Sequence, residues 1–581
     1  MHETTGEAVS KSAAHFGKWF AVVATWAAVF LAGCTAAHHR RAADKEVYGI
    51  VQQAEWQIFG KTNAFKIDTA YSARKPGEIL PPELIEDRLQ TNRRTLTIEN
   101  ALDLAVHNGR DYQTEKERLF LRALTLTERR YAFSPQFTRK SISGKFERAS
   151  DGQKLGKLES NFEITKVFAT GGEVSLALVN DLMRYYTGDP RREAVSLLSL
   201  KLTQPLLRGF GRNSAVVENL TQAERNVIYA VRDYSFFQNE FALEIVTDYF
   251  ALLEQKDVIR NRYTNYLGRV RSTQRLEARK DREKSSDVDQ ARQAELTARN
   301  NYVNAVAGYR NSLDQFKIKL GLPLGEKIYL DDQALTEVKN HGLVPAPSDP
   351  EQAYRVAVER QLQILNAIDV FEDRKRQIRV AVDALKPGLN LTGSADLGST
   401  KPTDFTRFNA QKVRADVGLN LDLPLNQLSQ RNNYRETLIS FEAEIRSLTL
   451  TLDNLKDDIE RGLRTLEQRR QNYEIQKSAL ELANRRVEGG LLRMQAGVAE
   501  VRDLVEAQDA QIAAQNAVTS AIVAHQNARL QLMLAIGALQ TDGEKFWLKD
   551  HLAGFLPAGT VAEKALAPAQ AVIPPDEFFN N

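Results

Sequence analysis

The stretch VRADVGLNLDLPLNQLSQRNNYRETLISFEAEIRSLTLTLDNLKDDI, residues 413–459, changes its hydrophobic period once, and that change decides the fold. Up to Leu423 the period is two. Val413, Ala415, Val417, Leu419, Leu421 and Leu423 alternate with Arg414, Asp416, Gly418, Asn420 and Asp422, as in a strand with one apolar face. Beyond Pro424 the period becomes 3.5, because Leu438, Phe441, Ile445, Leu448, Leu452, Leu455 and Ile459 step by three and four. After one shift of four at Leu463 the stripe continues through Leu466, Tyr473, Leu480 and Val487, a coiled-coil seam with a local stutter. Just upstream, Leu389, Leu391, Gly393, Ala395 and Leu397 alternate with Asn390, Thr392, Ser394 and Asp396. Both alternating runs have the length of a tilted barrel strand.

Working outward, the same plan occurs earlier in the chain. Ala101-Leu102-Asp103-Leu104-Ala105-Val106 aligns with Ala353-Tyr354-Arg355-Val356-Ala357-Val358, and each stands 34 residues before a proline, Pro135 and Pro387. Pro205 corresponds to Pro424, Arg275-Leu276-Glu277-Ala278 to Arg493-Met494-Gln495-Ala496, and Gly321 to Gly537. The chain is a tandem duplication. Pro205 to Ala278 is 73 residues and Pro424 to Ala496 is 72, room for a helix of about 100 Å in each repeat. The segments 101–134 and 291–320 predict two shorter helices that together nearly match the long one.

Strands in the first repeat are read at Ile142/Gly144/Phe146, Leu158 to Phe168, Val174/Leu176/Leu178 and Leu198/Leu200/Leu202. The proline-to-proline insert there is 70 residues against 37 in the second repeat, an excess of 33 that fits one additional hairpin turning at Thr170-Gly171-Gly172. Strand pairs set between ~100 Å helices fit a sandwich badly.

Composition narrows the function. The 581 residues carry 78 Lys+Arg against 75 Asp+Glu, a net +3 that gives no reason to invoke nucleic acid. A mean hydropathy of −0.41 is too polar for a bundle of membrane helices but compatible with a membrane β-barrel. One cysteine and eight histidines, without a Cys-x-x-Cys or His-x-x-x-His pair, argue against a disulfide framework and a zinc site. No Ser/His/Asp constellation stands in a strand-loop context, so no enzyme, cofactor or metal site is expected. The lone cysteine follows Lys11, Lys18 and an apolar run from Trp19 to Gly33 that ends Leu31-Ala32-Gly33-Cys34. That ending resembles a bacterial lipoprotein signal, with Cys34 lipidated and Thr35 favouring the outer membrane; the alternative is an uncleaved anchor with an inert cysteine.

Short helix, strands, long helix, tight tip and short helix, given twice, resemble the TolC-like outer-membrane efflux protein family over roughly Leu96 to Gly537. The motifs that carry the resemblance are LTIENALDLA at 96–105, TQPLLRGFGR at 203–212, and QAGV at 495–498 leading into DLVEAQ at 503–508. It implies an α+β membrane protein, with a long antiparallel α-helical coiled-coil tunnel and a transmembrane β-barrel shared by a homotrimer. Twelve strands follow from four per chain, and eighteen if the additional hairpin of the first repeat also enters the wall. On this reading residues 1–33 are a signal peptide and 34–95 an N-terminal tether and equatorial segment. Residues 96–321 are the first repeat, with strands at about 138–204 and a tip at about 278–287. A connector at 322–350 leads to the second repeat, 351–537, with strands at about 389–423 and a tip at about 494–503. Residues 538–581 are a C-terminal equatorial tail, and His38-His39-Arg40-Arg41 reads as a solvated tether.

The expected partners are a periplasmic adaptor (membrane fusion) protein, an inner-membrane pump of RND or ABC type, and lipid through Cys34. The implied function is the outer-membrane channel of a tripartite export system, a passive duct for small molecules. An outlet for type I protein secretion and a structural, lipid-tethered coiled coil are the alternatives. Adaptor docking falls to the tips, with Arg275 and Ala278 in the first, and Arg493, Ala496 and Gly497 in the second. In the family, two acidic positions three residues apart line the closed end of the tunnel, and Asp503 and Glu506 match them. Ala499 stands where some relatives place a basic residue that helps lock the closed tip.

Overall fold

In the computed structural model the described residues are 36–148, 154–185, 192–278, 281, 284–343, 349–401, 404–496, 498, 500–541 and 545–549. The signal segment with Cys34, the tip residues Gly497 and Ala499, and most of the 538–581 tail lie outside them. The described residues open with helices α1 (Ala36–Phe59) and α2 (Pro81–Leu89) and strand β1 (Arg93–Leu96). The first repeat gives α3 (Ile98–Asn108), α4 (Arg110–Tyr131), β2 (Gln136–Arg148), β3 (Lys154–Val167), β4 (Glu173–Tyr185), β5 (Arg192–Pro205), α5 (Ala215–Glu277) and α6 (Ser285–Lys319). A connector carries β6 (Lys327–Leu330) and α7 (Gln333–His341). The second repeat gives α8 (Pro350–Arg360), α9 (Leu362–Asp383), β7 (Gly388–Lys401), β8 (Asp404–Phe408), β9 (Arg414–Asp422), α10 (Leu428–Gln495) and α11 (Val501–Ile536).

These elements divide between two compact units. The first takes the described parts of Met1–Ile67, Arg118–Val231 and Arg379–Tyr434; the second takes those of Asp68–Glu117, Arg232–Ile378 and Arg435–Asn581.

In the first unit β2, β3, β4, β5, β7 and β9 pair in that order, antiparallel throughout, and β8 pairs the far end of β7. The sequence alternation carries into the sheet over most of its length, with apolar residues on one face and polar residues on the other; it slips in β4 and β5, where Val179 and Leu197 join the polar face and Asn180 and Ser196 the apolar one. The additional hairpin turns where the sequence places it, with Phe168 N donating to Gly172 O at 2.8 Å and Gly171 N to Phe168 O at 2.9 Å. Leu206 to Ser214 form a turn with Gly209 and Gly211 at positive φ, so α5 starts ten residues after Pro205 rather than at it. His38–Arg41, read as a solvated tether, are exposed and helical, in the first turns of α1, where the alanines around them favour helix. Val47, Ile50, Val51 and Ala54 form the buried stripe of α1, and the Tyr48 ring packs edge-on against Phe65 and Phe120.

The second unit keeps the repeat symmetry in detail. Thr97 caps α3 by accepting from Asn100 N at 3.2 Å, and Asp349 caps α8 by accepting from Glu351 N at 3.0 Å. The helix expected over 101–134 is broken at Gly109, and its counterpart is broken at the matching Gln361, whose Oε1 accepts from Ile364 N at 2.7 Å. Both α6 and α11 end on left-handed glycines, Gly321 (φ 72°) and Gly537 (φ 73°). A Cβ on Gly321 would lie 2.2 Å from Asn108 O, and one on Gly537 would lie 2.9 Å from Gln361 N. In each repeat, then, the glycine that ends the last helix sits against the break in the first. Strand β1 pairs parallel with β6, Arg93 opposite Lys327 to Leu96 opposite Leu330. The buried Tyr249 hydroxyl of α5 lies 2.7 Å from Leu96 O and 3.0 Å from Asp331 O, and burial raises its pKa.

The long helices run 63 residues (α5) and 68 residues (α10), about 95 and 100 Å. Of the stripe read on α10, Leu455, Ile459, Leu466 and Val487 are buried, while Ile445 is exposed in the single chain.

Candidate functional site at the helical tips

Two hairpin tips lie in the second unit. Helix α5 ends at Glu277 and α6 restarts at Ser285; α10 ends at Gln495 and α11 restarts at Val501. Val498 N donates to Arg493 O at 3.0 Å, a bond that closes the end of α10 by satisfying one of its last carbonyls. Leu276, Ala291 and Val501 form a buried apolar cluster with Val288, Met494 and Val505 against it. The two tips of one chain are therefore one packed body, and each repeat supplies half of it.

A buried arginine ties that body together further along. Arg269 of α5 is 3% exposed, and its Nη2 donates to Val505 O at 2.9 Å and Asp509 Oδ1 at 2.7 Å, both on α11. Its Nε donates to Asn265 Oδ1 at 3.1 Å, and Thr273 Oγ1 reaches Ala291 O of α6 at 3.2 Å. One guanidinium meets three acceptors from two nitrogens held at a fixed separation, Nε toward Asn265 and Nη2 toward α11, a geometry that a single-point ammonium does not reproduce. The sequence reading missed it. Its signal was position: Arg269, Thr273 and Leu276 step by four and three along one helical stripe.

The residues read from sequence as docking positions, Arg275, Ala278, Arg493 and Ala496, are all exposed, with Leu492 and Val498 exposed beside the second pair. Gly497 falls outside the described residues, as does Ala499. Asp503 and Glu506 lie in the first two turns of α11, both exposed. Glu506 is already engaged, 3.3 Å from Arg502 Nε one turn back and 3.8 Å from Arg486 Nη2 on α10. The first contact was readable from the i,i+4 spacing, the second only from the packed hairpin.

No family model matches the chain, and no curated protein does. Solved structures do match, at low identity and over most of their length. CusC shares 13% identity at a TM-score of 0.57, covering 76% of this chain and 92% of its own. The outer membrane channel CmeC of Campylobacter jejuni shares 15% at 0.55, covering 76% and 85%. The outer membrane protein VceC of Vibrio cholerae shares 13% at 0.55, covering 76% and 96%. At that identity the likeness is one of fold, and this chain has the fold of the TolC-like outer-membrane channels.

Proposed function

We propose that the protein is the outer-membrane channel of a tripartite export system, a passive homotrimeric duct for small molecules. The observation that carries this reading is a sheet with a mainly apolar face that, among the described residues, leaves β2 and β9 each with an unpaired edge, in a chain that also carries helices of about 95 and 100 Å. A sheet of that kind cannot stand alone in lipid, because its edge amides and carbonyls would have no partners. Pooling strands from three copies removes the edges, and the long helices then ring a tunnel. The exposed tips, with Arg275, Ala278, Arg493 and Ala496, are the surface offered to an adaptor protein and pump, and the ring of Asp503 and Glu506 narrows the closed end. Lipid on Cys34 anchors the chain at its start.

Native mass spectrometry and planar-bilayer conductance of the detergent-solubilised chain test the reading. A trimer that inserts and gives discrete conductance steps supports it. A monomer, or a trimer that never conducts, sinks it.

A further inference from the structure

We propose that the additional hairpin of the first repeat stands in the barrel wall at full height, so that three copies of this chain close an eighteen-stranded barrel by pairing β9 of one copy with β2 of the next. This rests on the channel reading above and fixes the width of its outlet.

Height is the first argument. Strands β2 and β7 leave helices α4 and α9, and β5 and β9 run into α5 and α10, all at one end of the sheet. The β3–β4 turn returns to that same end. Gly211 N donates to Thr170 O at 2.9 Å, and Gln204 Nε2 donates to Thr170 O at 3.3 Å. Gly171 (φ 82°) lies so close that a Cβ there would be 2.2 Å from Gly209 O. A hairpin projecting above the membrane would not bring its turn down to the strand-to-helix junction.

Register is the second. Strands β3 and β4 pair without interruption from Leu155 opposite Tyr185 to Val167 opposite Glu173, longer than the 9–11 residues a tilted strand needs to cross a bilayer. One cross-sheet row reads Phe137, Ile164, Leu176, Leu200, Ala395, Ala415. The neighbouring row, on the other face, reads Gln136, Thr165, Ser175, Lys201, Ser394, Asp416. Each row crosses all six strands, apolar on one face and polar on the other, which is the pattern of lipid outside and water inside. Lys140 and the Ser160–Asn180–Ser196 row interrupt the apolar face; Asn180 Nδ2 donates to Ser160 Oγ at 2.9 Å within that row.

Closure is the third. With six strands per copy, β2 runs away from the helix end and β9 runs toward it, so a β9–β2 seam between copies is antiparallel like every pair within the sheet. Barrel diameter grows roughly linearly with strand number, so this outlet is about 1.5 times as wide as a twelve-stranded one.

The test uses the full chain. Ser143→Cys on β2 and Asn420→Cys on β9, singly and together, are treated with a short bismaleimide after native mass spectrometry has read the copy number. The double variant is expected to give a covalent ladder up to trimer, and each single variant none. A trimer without that ladder overturns the eighteen-stranded wall and leaves the trimeric channel standing; a monomer overturns both. Phe162→Trp on β3 gives an independent reading in vesicles of lipid brominated on its acyl chains. Quenching equal to that of Leu200→Trp on β5 supports the wall, and an unquenched Phe162→Trp variant overturns it.

Discussion

Asp503 and Glu506 share a helix face but not an electrostatic situation. Glu506 lies between Arg502 and Arg486, whereas Asp503 is exposed one turn earlier. In a threefold ring the uncompensated negative field would then come mainly from Asp503. Asp503→Ala is expected to remove most divalent-cation block and cation preference in planar bilayers. Glu506→Ala should keep more of the block but loosen the tip, since two arginines lose their shared carboxylate; each exposed pair is worth only about 0.5 kcal/mol. Equal loss of block in the two variants would argue against this division. His525 of α11 shows the opposite regime. It is buried, and desolvation first, then Arg529 and Arg470, lower its pKa from 6.5 to about 4, against a smaller upward pull from Glu467. The neutral ring is the one that fits, so its contribution to stability is complete above pH 6.5 and is lost as pH falls toward 4. The slope approaches about 1.4 kcal/mol for each pH unit in that window. Thermal unfolding should show it, and His525→Gln should flatten it.

At the scale of elements, the duplication made most of the fold readable. Paired landmarks such as Pro205 with Pro424 located the strands and long helices, and the change of period at Pro424 named them. What stayed hidden was set by contacts across the chain. Gln361 reads as an ordinary helical residue, yet it breaks its helix as Gly109 does, because Gly537 packs against that point. Helix α1 was hidden for another reason: its charged first turns masked an apolar stripe of only four residues, Val47 to Ala54. The candidate site divides the same way. The family resemblance pointed to the two carboxylates and the paired repeats to the tips, but neither pointed to Arg269, whose value depends on the Val505 carbonyl brought to it by α11. Arg269→Lys keeps the charge but loses the separated Nε and Nη2 donors that reach Asn265 and α11 together. Losing charge-assisted bonds at a buried site costs on the order of 2 kcal/mol. Faster amide exchange should therefore appear in both tips together, since they share one cluster. Faster exchange confined to α5 would contradict that coupling. Docking belongs to this scale too. Ala278→Trp places bulk on an exposed helix end and is expected to leave trimer stability unchanged while weakening capture of a cognate adaptor; unchanged capture would move the docking surface elsewhere.

For the whole molecule, anchoring and assembly are separable demands. A lipidated Cys34 would hold one chain at the membrane, but a single acylated site is a modest anchor compared with a closed barrel. On the channel reading the barrel would form only when edges from separate copies meet, a step that depends on the local concentration of chains at the membrane surface. Lipid at Cys34 would therefore act chiefly before assembly, by confining three chains to one plane while β2 and β9 still lack partners. Cys34→Ser should accordingly abolish lipid modification and slow the appearance of trimer, while the trimers that do form stay in the outer membrane and conduct like the parent. Mass spectrometry of the mature N-terminus and a time course of trimer formation check the two halves separately. An unmodified N-terminus at Met1 in the membrane-resident protein would remove the anchor. A Cys34→Ser trimer that forms at the parental rate would leave the anchor in place without a role in assembly.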